Sequence, residues 1–388
     1  MRVPDSPWFA ALTTALAGVL IATLFVLGAH GHVSGLVQAG NKFVDPQLAP
    51  KSLVVADDAG GYDGQFYYRM AHAPFSMDDR VLGVRFDIPA FRSQRVVYPL
   101  LAWTFSGGGR VPYIPWSLVA VNVGALTACA WFGGVLARDR GKHAAWGLLA
   151  AGYPGFMITM SLDLAEIVAS ALVLAGLCAL AHERTLLAGL SLSAATLARE
   201  TAVLVVLGVV SAWFIAAIVP RLGGRPSVRT LFSGSMALFC FCGWQVLLLW
   251  RFGSLPLSSS GKNNAGAPFT GFLSEAGTIL PPTSGASLFR FLSLCFLVSV
   301  IVYAGISLRR SLAPLYEKVA WTVAALMLVF LGSGVWAGAT GFLRVTTELY
   351  LLSVLVVLGR REPLALPVAL PSAAMSGLSI LAQATKSV

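Results

Sequence analysis

Asp63 stands in the run Gly60-Gly61-Tyr62-Asp63-Gly64-Gln65-Phe66-Tyr67-Tyr68-Arg69; further along come Arg95, then Asp163 and Glu166, then Arg199-Glu200, then Arg344 and Glu348. Carboxylates and arginines in this mixture suit transfer from a phosphate. A carboxylate can take a proton from an attacking hydroxyl. Guanidinium groups can hold a phosphate and offset the charge that gathers as it departs. The i, i+3 spacing of Asp163 and Glu166 and the i, i+4 spacing of Arg344 and Glu348 put each pair on one helix face. Each residue also has a plainer reading. Asp63 and Asp163 can cap a helix or a turn, Arg199 and Glu200 can pair with each other, and Arg85, Arg92 and Arg95 can be solvated loop charges.

The elements that must position these groups follow from composition. Hydrophobic residues make up 57% of the 388 and charged residues only 11%, against about 25% charged in a soluble globular chain. Long windows carry no charge at all, among them Trp8–Ala29, Val111–Ala137, Thr201–Pro220 and Val319–Leu343. Roughly 20 apolar residues cross the hydrocarbon core as a helix, and in lipid the backbone must satisfy itself. The fold class expected is therefore all-α, a polytopic transmembrane helical bundle in one domain over residues 1–388. Its spans are expected at about 8–29, 111–137, 144–160, 163–181, 186–198, 201–219, 230–250, 288–308, 319–338 and 344–359. An eleventh, at about 364–383, is weakened by Pro363, Pro367 and Pro371. Proline should also bend or end the third span near Tyr153-Pro154-Gly155.

Two long segments join spans on one side, at about 30–110 and 252–287. In the first, Phe66, Tyr67, Met70 and Ala71 recur at helical spacing, which suits a helix lying at the membrane interface. Tyr98–Trp103 is apolar but too short to span and reads as interfacial or re-entrant.

The net charge is +10, but its placement is a topology signal rather than a nucleic-acid footprint. With the N-terminus in the cytoplasm and each span reversing direction, the basic clusters Arg138/Arg140/Lys142, Arg221/Arg225/Arg229, Arg309/Arg310/Lys318 and Arg360/Arg361 all fall inside. The carboxylate–arginine set then falls on the outer rim. The five cysteines are scattered through apolar windows, which fits neither a disulfide framework nor a zinc site. His30-x-His32 reads as unliganded, so no metal residues are assigned.

The order of motifs resembles the GT-C superfamily of integral-membrane glycosyltransferases. Within it the chain is similar to the glycosylphosphatidylinositol mannosyltransferase-like branch and to bacterial cell-surface glycopolymer formation proteins. The matching residues are Tyr62–Arg69, Gln94–Leu101, Tyr153-Pro154-Gly155, Ser161–Glu166 and Leu197–Thr201. The resemblance implies a polyprenyl-phosphate sugar donor, a glycan or glycolipid acceptor on the non-cytoplasmic face of a bacterial inner membrane, and Asp63 as general base. Here Asp-Gly replaces the paired acids of some members, which leaves a divalent cation open, and no other cofactor is implied.

On this basis an acceptor hydroxyl deprotonated by Asp63 is expected to displace polyprenyl phosphate with inversion. Arg95, Arg199 and Arg344 are the expected phosphate ligands. Asp163, Glu166, Glu200, Gln65 and Tyr67 are expected to bind sugar or acceptor or to orient the site. The rival expectations are a non-catalytic membrane subunit of glycopolymer assembly and a lipid-linked sugar flippase. The flippase would require inverted repeats, and none is visible.

Overall fold

The computed structural model describes residues 4–223, 227–259, 263–361 and 366–385. It is an all-α bundle; the described strands are pairs of two residues, all in the first long loop. Among the described residues six helices are long and apolar enough to cross a membrane: Pro7–Gly28, Val111–Asp139, Glu200–Ile218, Val228–Phe252, Gly285–Ser307 and Leu366–Ala384. The chain is an integral membrane protein. Arg225, counted among the basic clusters above, lies outside the described residues.

The remaining expected spans are shorter or broken, each for a local reason. Residues 144–160 do not form one helix. They divide into Ala144–Gly147, Leu148–Ala151 and Pro154–Ser161, because proline enters where Tyr153 has already left helical geometry (φ −86°, ψ 128°). The next helix begins at Glu166 rather than at 163 and runs to Ala181. Asp163 lies in the turn before it with a positive φ of 46°. The tenth expected span is two helices, Ala339–Val345 and Thr347–Leu358, bent by 54°. The eleventh expected span, by contrast, is one of the six long helices, Leu366–Ala384, and holds Pro371 inside it.

Contacts between distant residues mark the two ends of the bundle. At one end Arg140 Nη2 donates to both Glu317 oxygens at 2.5 and 2.6 Å, Lys142 Nζ to Arg361 O, and Ala144 N to Asp5 Oδ1. These tie together segments that the charge pattern assigns to one side. The carboxylate–arginine set gathers at the opposite end.

The first long loop is folded against that opposite end. Its helix Gly64–His72 is buried from Gly64 through Ala71, Gln65 and Arg69 included. The helix forms where the spacing places it, and it is packed within protein on all sides. Arg69 donates to the carbonyls of Asp78, Asp79 and Val84 at 2.5–2.8 Å and so ties the short hairpin 80–85 to the helix. Val97–Phe105 keeps the interfacial character: Tyr98, Pro99 and Ala102 face inward, while Leu101, Trp103 and Phe105 are exposed.

Small residues let helices approach. A Cβ on Gly208 would collide with Ala320 of the neighbouring helix Leu315–Val329, whereas one on Gly243 would meet nothing within 4 Å. Overpacking of this kind costs about 1–3 kcal/mol, so Gly208→Ala should lower stability by that amount in detergent-solubilised protein. Gly243→Ala, inside the helix Val228–Phe252 with open space around it, should leave stability unchanged or raise it by up to about 1 kcal/mol. Denaturant unfolding of the two variants checks this, and equal effects would contradict the packing described.

Candidate active site

Asp63 occupies the N-terminal boundary of the helix Gly64–His72, but its side chain makes no capping bond. The carboxylate is turned away from its own helix. The local fold explains how it is placed. A Cβ on Gly64 would sit 2.6 Å from both Leu162 O and Val37 O, so only glycine lets this helix start close against the turn after Ser161. Gln65 secures the incoming strand. Its Nε2 donates to Gly60 O at 3.0 Å, and its Oε1 accepts from Gly40 N at 3.2 Å.

Three arginines converge on Asp63 from two regions of the chain. Arg92 Nη1 donates to Oδ1 at 2.6 Å. Arg344 Nη2 and Arg95 Nη1 donate to Oδ2 at 3.1 and 3.4 Å. Each arginine is held in turn by a second carboxylate. Arg92 is bidentate to Asp87 at 2.6 and 2.7 Å. Arg95 is bidentate to Glu200 at 2.5 and 2.8 Å, and its Nη1 also reaches the Tyr67 hydroxyl at 3.4 Å. Arg344 Nε donates to Glu166 Oε1 at 2.5 Å, and its Nη1 to the Tyr62 hydroxyl at 2.7 Å. Arg199 Nη1 lies 2.6 Å from the same Glu166 oxygen. Four arginines and four carboxylates thus form one connected, balanced network.

The break in the tenth span aims Arg344. Tyr153 stacks on Tyr350 with ring centroids 4.4 Å apart, and its hydroxyl lies 2.6 Å from Leu343 O and 2.7 Å from Thr346 Oγ1, at the bend. Arg344 therefore points along one axis and Glu348 along another. Glu348 accepts from the Thr201 hydroxyl at 2.7 Å and makes no ion pair with Arg344. The shared helix face expected for Arg344 and Glu348 is corrected by this 54° bend.

Asp163 and Glu166 separate as well. Glu166 is in the network, whereas Asp163 is fully buried in the preceding turn and neither of its oxygens has a hydrogen-bond partner among the described residues. The i, i+3 relation fails because position 163 is not helical. Arg199 and Glu200 do not pair with each other; they turn to Glu166 and Arg95.

Three participants, Arg92, its partner Asp87 and Tyr62, were not singled out from the sequence. Arg92 read as a solvated loop charge, although Asp87 five residues earlier offered a signal. Tyr62 lay inside the quoted motif with no role attached. Arg85, by contrast, is exposed. No group of three or more His, Cys, Asp or Glu with metal-holding geometry occurs among the described residues.

Burial alone would push the Asp63 carboxyl up, but the Arg344, Arg92 and Arg95 cations override it and hold Asp63 well below its usual 3.8. A depressed carboxylate contributes stability that is present above its unfolded value and is lost as pH falls toward its folded one. The stability difference between wild type and Asp63→Asn should therefore stay constant from pH 7 to about 5 and shrink only below about 4, read as Tm in detergent. A difference that shrinks between pH 7 and 5 would contradict the pairing.

No family model matches this sequence, and none of the curated proteins does. Among solved structures the chain is similar to the Archaeoglobus fulgidus oligosaccharyltransferase. The apo crystal form matches at 12% identity and a TM-score of 0.48, covering 97% of this chain and 56% of that one. The form tethered by a disulfide to an acceptor peptide with the NVT sequon matches at 11% identity and the same score, covering 97% and 55%. The chain thus spans little more than half the length of that enzyme. Likeness at this level identifies neither substrate nor mechanism.

Proposed function

We propose that the chain is a GT-C-type membrane glycosyltransferase. It moves a sugar from a polyprenyl-phosphate donor to an acceptor hydroxyl on the extracytoplasmic face of a bacterial inner membrane, with the N-terminus in the cytoplasm. The observation that carries this reading is Asp63 clasped by three guanidinium groups at one end of a helical bundle. That end is where a lipid-borne head group can be presented.

The clasp makes Asp63 a weak base as it stands, since a general base works best with a pKa near the operating pH. A phosphate, however, offers arginine the same kind of oxygen pair that a carboxylate does. The donor phosphate takes Arg95 and Arg344 from Asp63, and the loss of those cations restores proton affinity to the carboxylate. The freed Asp63 then accepts the proton of the acceptor hydroxyl. The hydroxyl oxygen attacks the anomeric carbon from the face opposite the phosphate, and a new glycosidic bond forms. The old carbon–oxygen bond to phosphate breaks, its electron pair leaves with polyprenyl phosphate, and configuration inverts. Arg95 and Arg344 offset the charge on the leaving group.

The other residues position these. Glu200 fixes the Arg95 fork, Glu166 fixes Arg344 with Arg199 behind it, and Tyr67 supports Arg95 from below. Gln65 holds the loop that carries Asp63. Asp163 sits in the turn against which Gly64 packs, and its contribution is the left-handed backbone that turns the chain toward Glu166.

Transfer assayed in proteoliposomes with polyprenyl-phosphate sugars tests the reading. Asp63→Asn should lower turnover by about 100-fold or more, the contribution of a general base. Near-normal turnover by a folded Asp63→Asn protein would remove Asp63 as the base.

A further inference from the structure

A cavity of about 420 Å³ opens beside the network, between the outer ends of the helices Pro7–Gly28 and Leu366–Ala384. Its volume is that of a small-molecule site. Its polar lining among the described residues is Gln38, Tyr62, Ser161, Thr340, Gln383 and Thr385, all uncharged. Ser161 Oγ donates to Gln383 Oε1 at 3.2 Å and so joins two of the walls.

The cavity is built by the same segments that build the ion network. Tyr62 precedes Asp63, and Thr340 lies one turn before Arg344 on the same helix, hence on the same face. Ser161 ends the helix that leads into the turn beneath Gly64. Tyr62 is the partition. It lines the cavity, its hydroxyl accepts from Arg344 Nη1 at 2.7 Å, and the guanidinium lies 5.1 Å from its ring centroid. Across one aromatic ring the environment changes from the Arg344 guanidinium and the ion network behind it to neutral amides and hydroxyls.

We propose that this cavity binds an uncharged sugar unit of the acceptor, leaving the arginine side of Tyr62 to the donor phosphate; this rests on the transferase reading above. An anion placed here would give up water for groups that carry no charge, which is unfavourable. Amide and hydroxyl groups match sugar hydroxyls, and the Tyr62 and Phe25 rings match the apolar faces of a sugar ring. An acceptor seated against Tyr62 lies next to the residue that precedes Asp63 in the chain.

Cysteine protection tests the site without any transfer reaction, so its failure is separate from a failure of the transferase reading. Thr340→Cys is placed in a full-length protein in which Cys240, Cys242 and Cys295 are replaced by Ala. It is then labelled with a water-soluble methanethiosulfonate. A panel of methyl glycosides at about 50 mM should slow labelling about threefold, the protection given by ligand at twice its Kd. Inorganic phosphate at the same concentration should leave the rate unchanged. Thr385→Cys, at the exposed mouth, gives the same reading if the first variant does not fold. Labelling unaffected by every glycoside, slowed by phosphate alone, or absent because water does not reach the cavity would overturn the proposal.

Discussion

The structure turns on one electrostatic arrangement: a carboxylate with three arginines, each arginine fixed by a further acid. Removed from water, any one of these charges is expensive, and only the completed set balances. Charges that a membrane chain otherwise avoids are thereby tolerated at the end of the bundle, because none stands alone. The same balance keeps Asp63 ionised. Its two oxygens are shared among Arg92, Arg95 and Arg344.

Building that set required irregular backbone. A straight helix through residues 144–160 would carry the chain past the rim; the break at Tyr153-Pro154 lets Tyr153 brace Leu343 and the bend at Thr346. The bend in turn separates Arg344 from Glu348 and delivers Arg344 to Asp63 and Glu166. The left-handed turn at Asp163 frees Glu166 to start its helix facing inward. Gly64 closes the arrangement by permitting backbone contact with Leu162. Departures from regular helix cluster where the charges meet, as expected where sites are built at the expense of ideal geometry.

The bundle itself was legible in the sequence, because charge-free windows of helical length leave few alternatives to spanning helices. So was the company of Asp63, since scarce charges at alternate span ends must fall together once the chain folds back and forth. What could not be read were features decided by backbone geometry. Helical spacing linked Asp163 to Glu166 and Arg344 to Glu348, and both links fail where the helix itself stops or bends. Arg92 was hidden because a loop arginine looks the same whether it faces water or a carboxylate 29 positions away. The burial of the helix Gly64–His72 was hidden because its apolar face suits lipid and protein equally, and the polar residues Gln65 and Arg69 are satisfied by loop backbone that sequence periodicity does not locate.

Asp63 and Arg344, distant in sequence, share an ion pair and are therefore expected to be energetically coupled in the folded protein. A double-mutant cycle with Asp63→Asn, Arg344→Gln and the pair, measured by denaturant unfolding in one detergent, tests it most directly. Groups in one charged network should couple by about 1–3 kcal/mol, so that the double variant is less destabilised than the sum of the singles. Additivity within about 0.3 kcal/mol would place the two residues in separate environments and contradict the account.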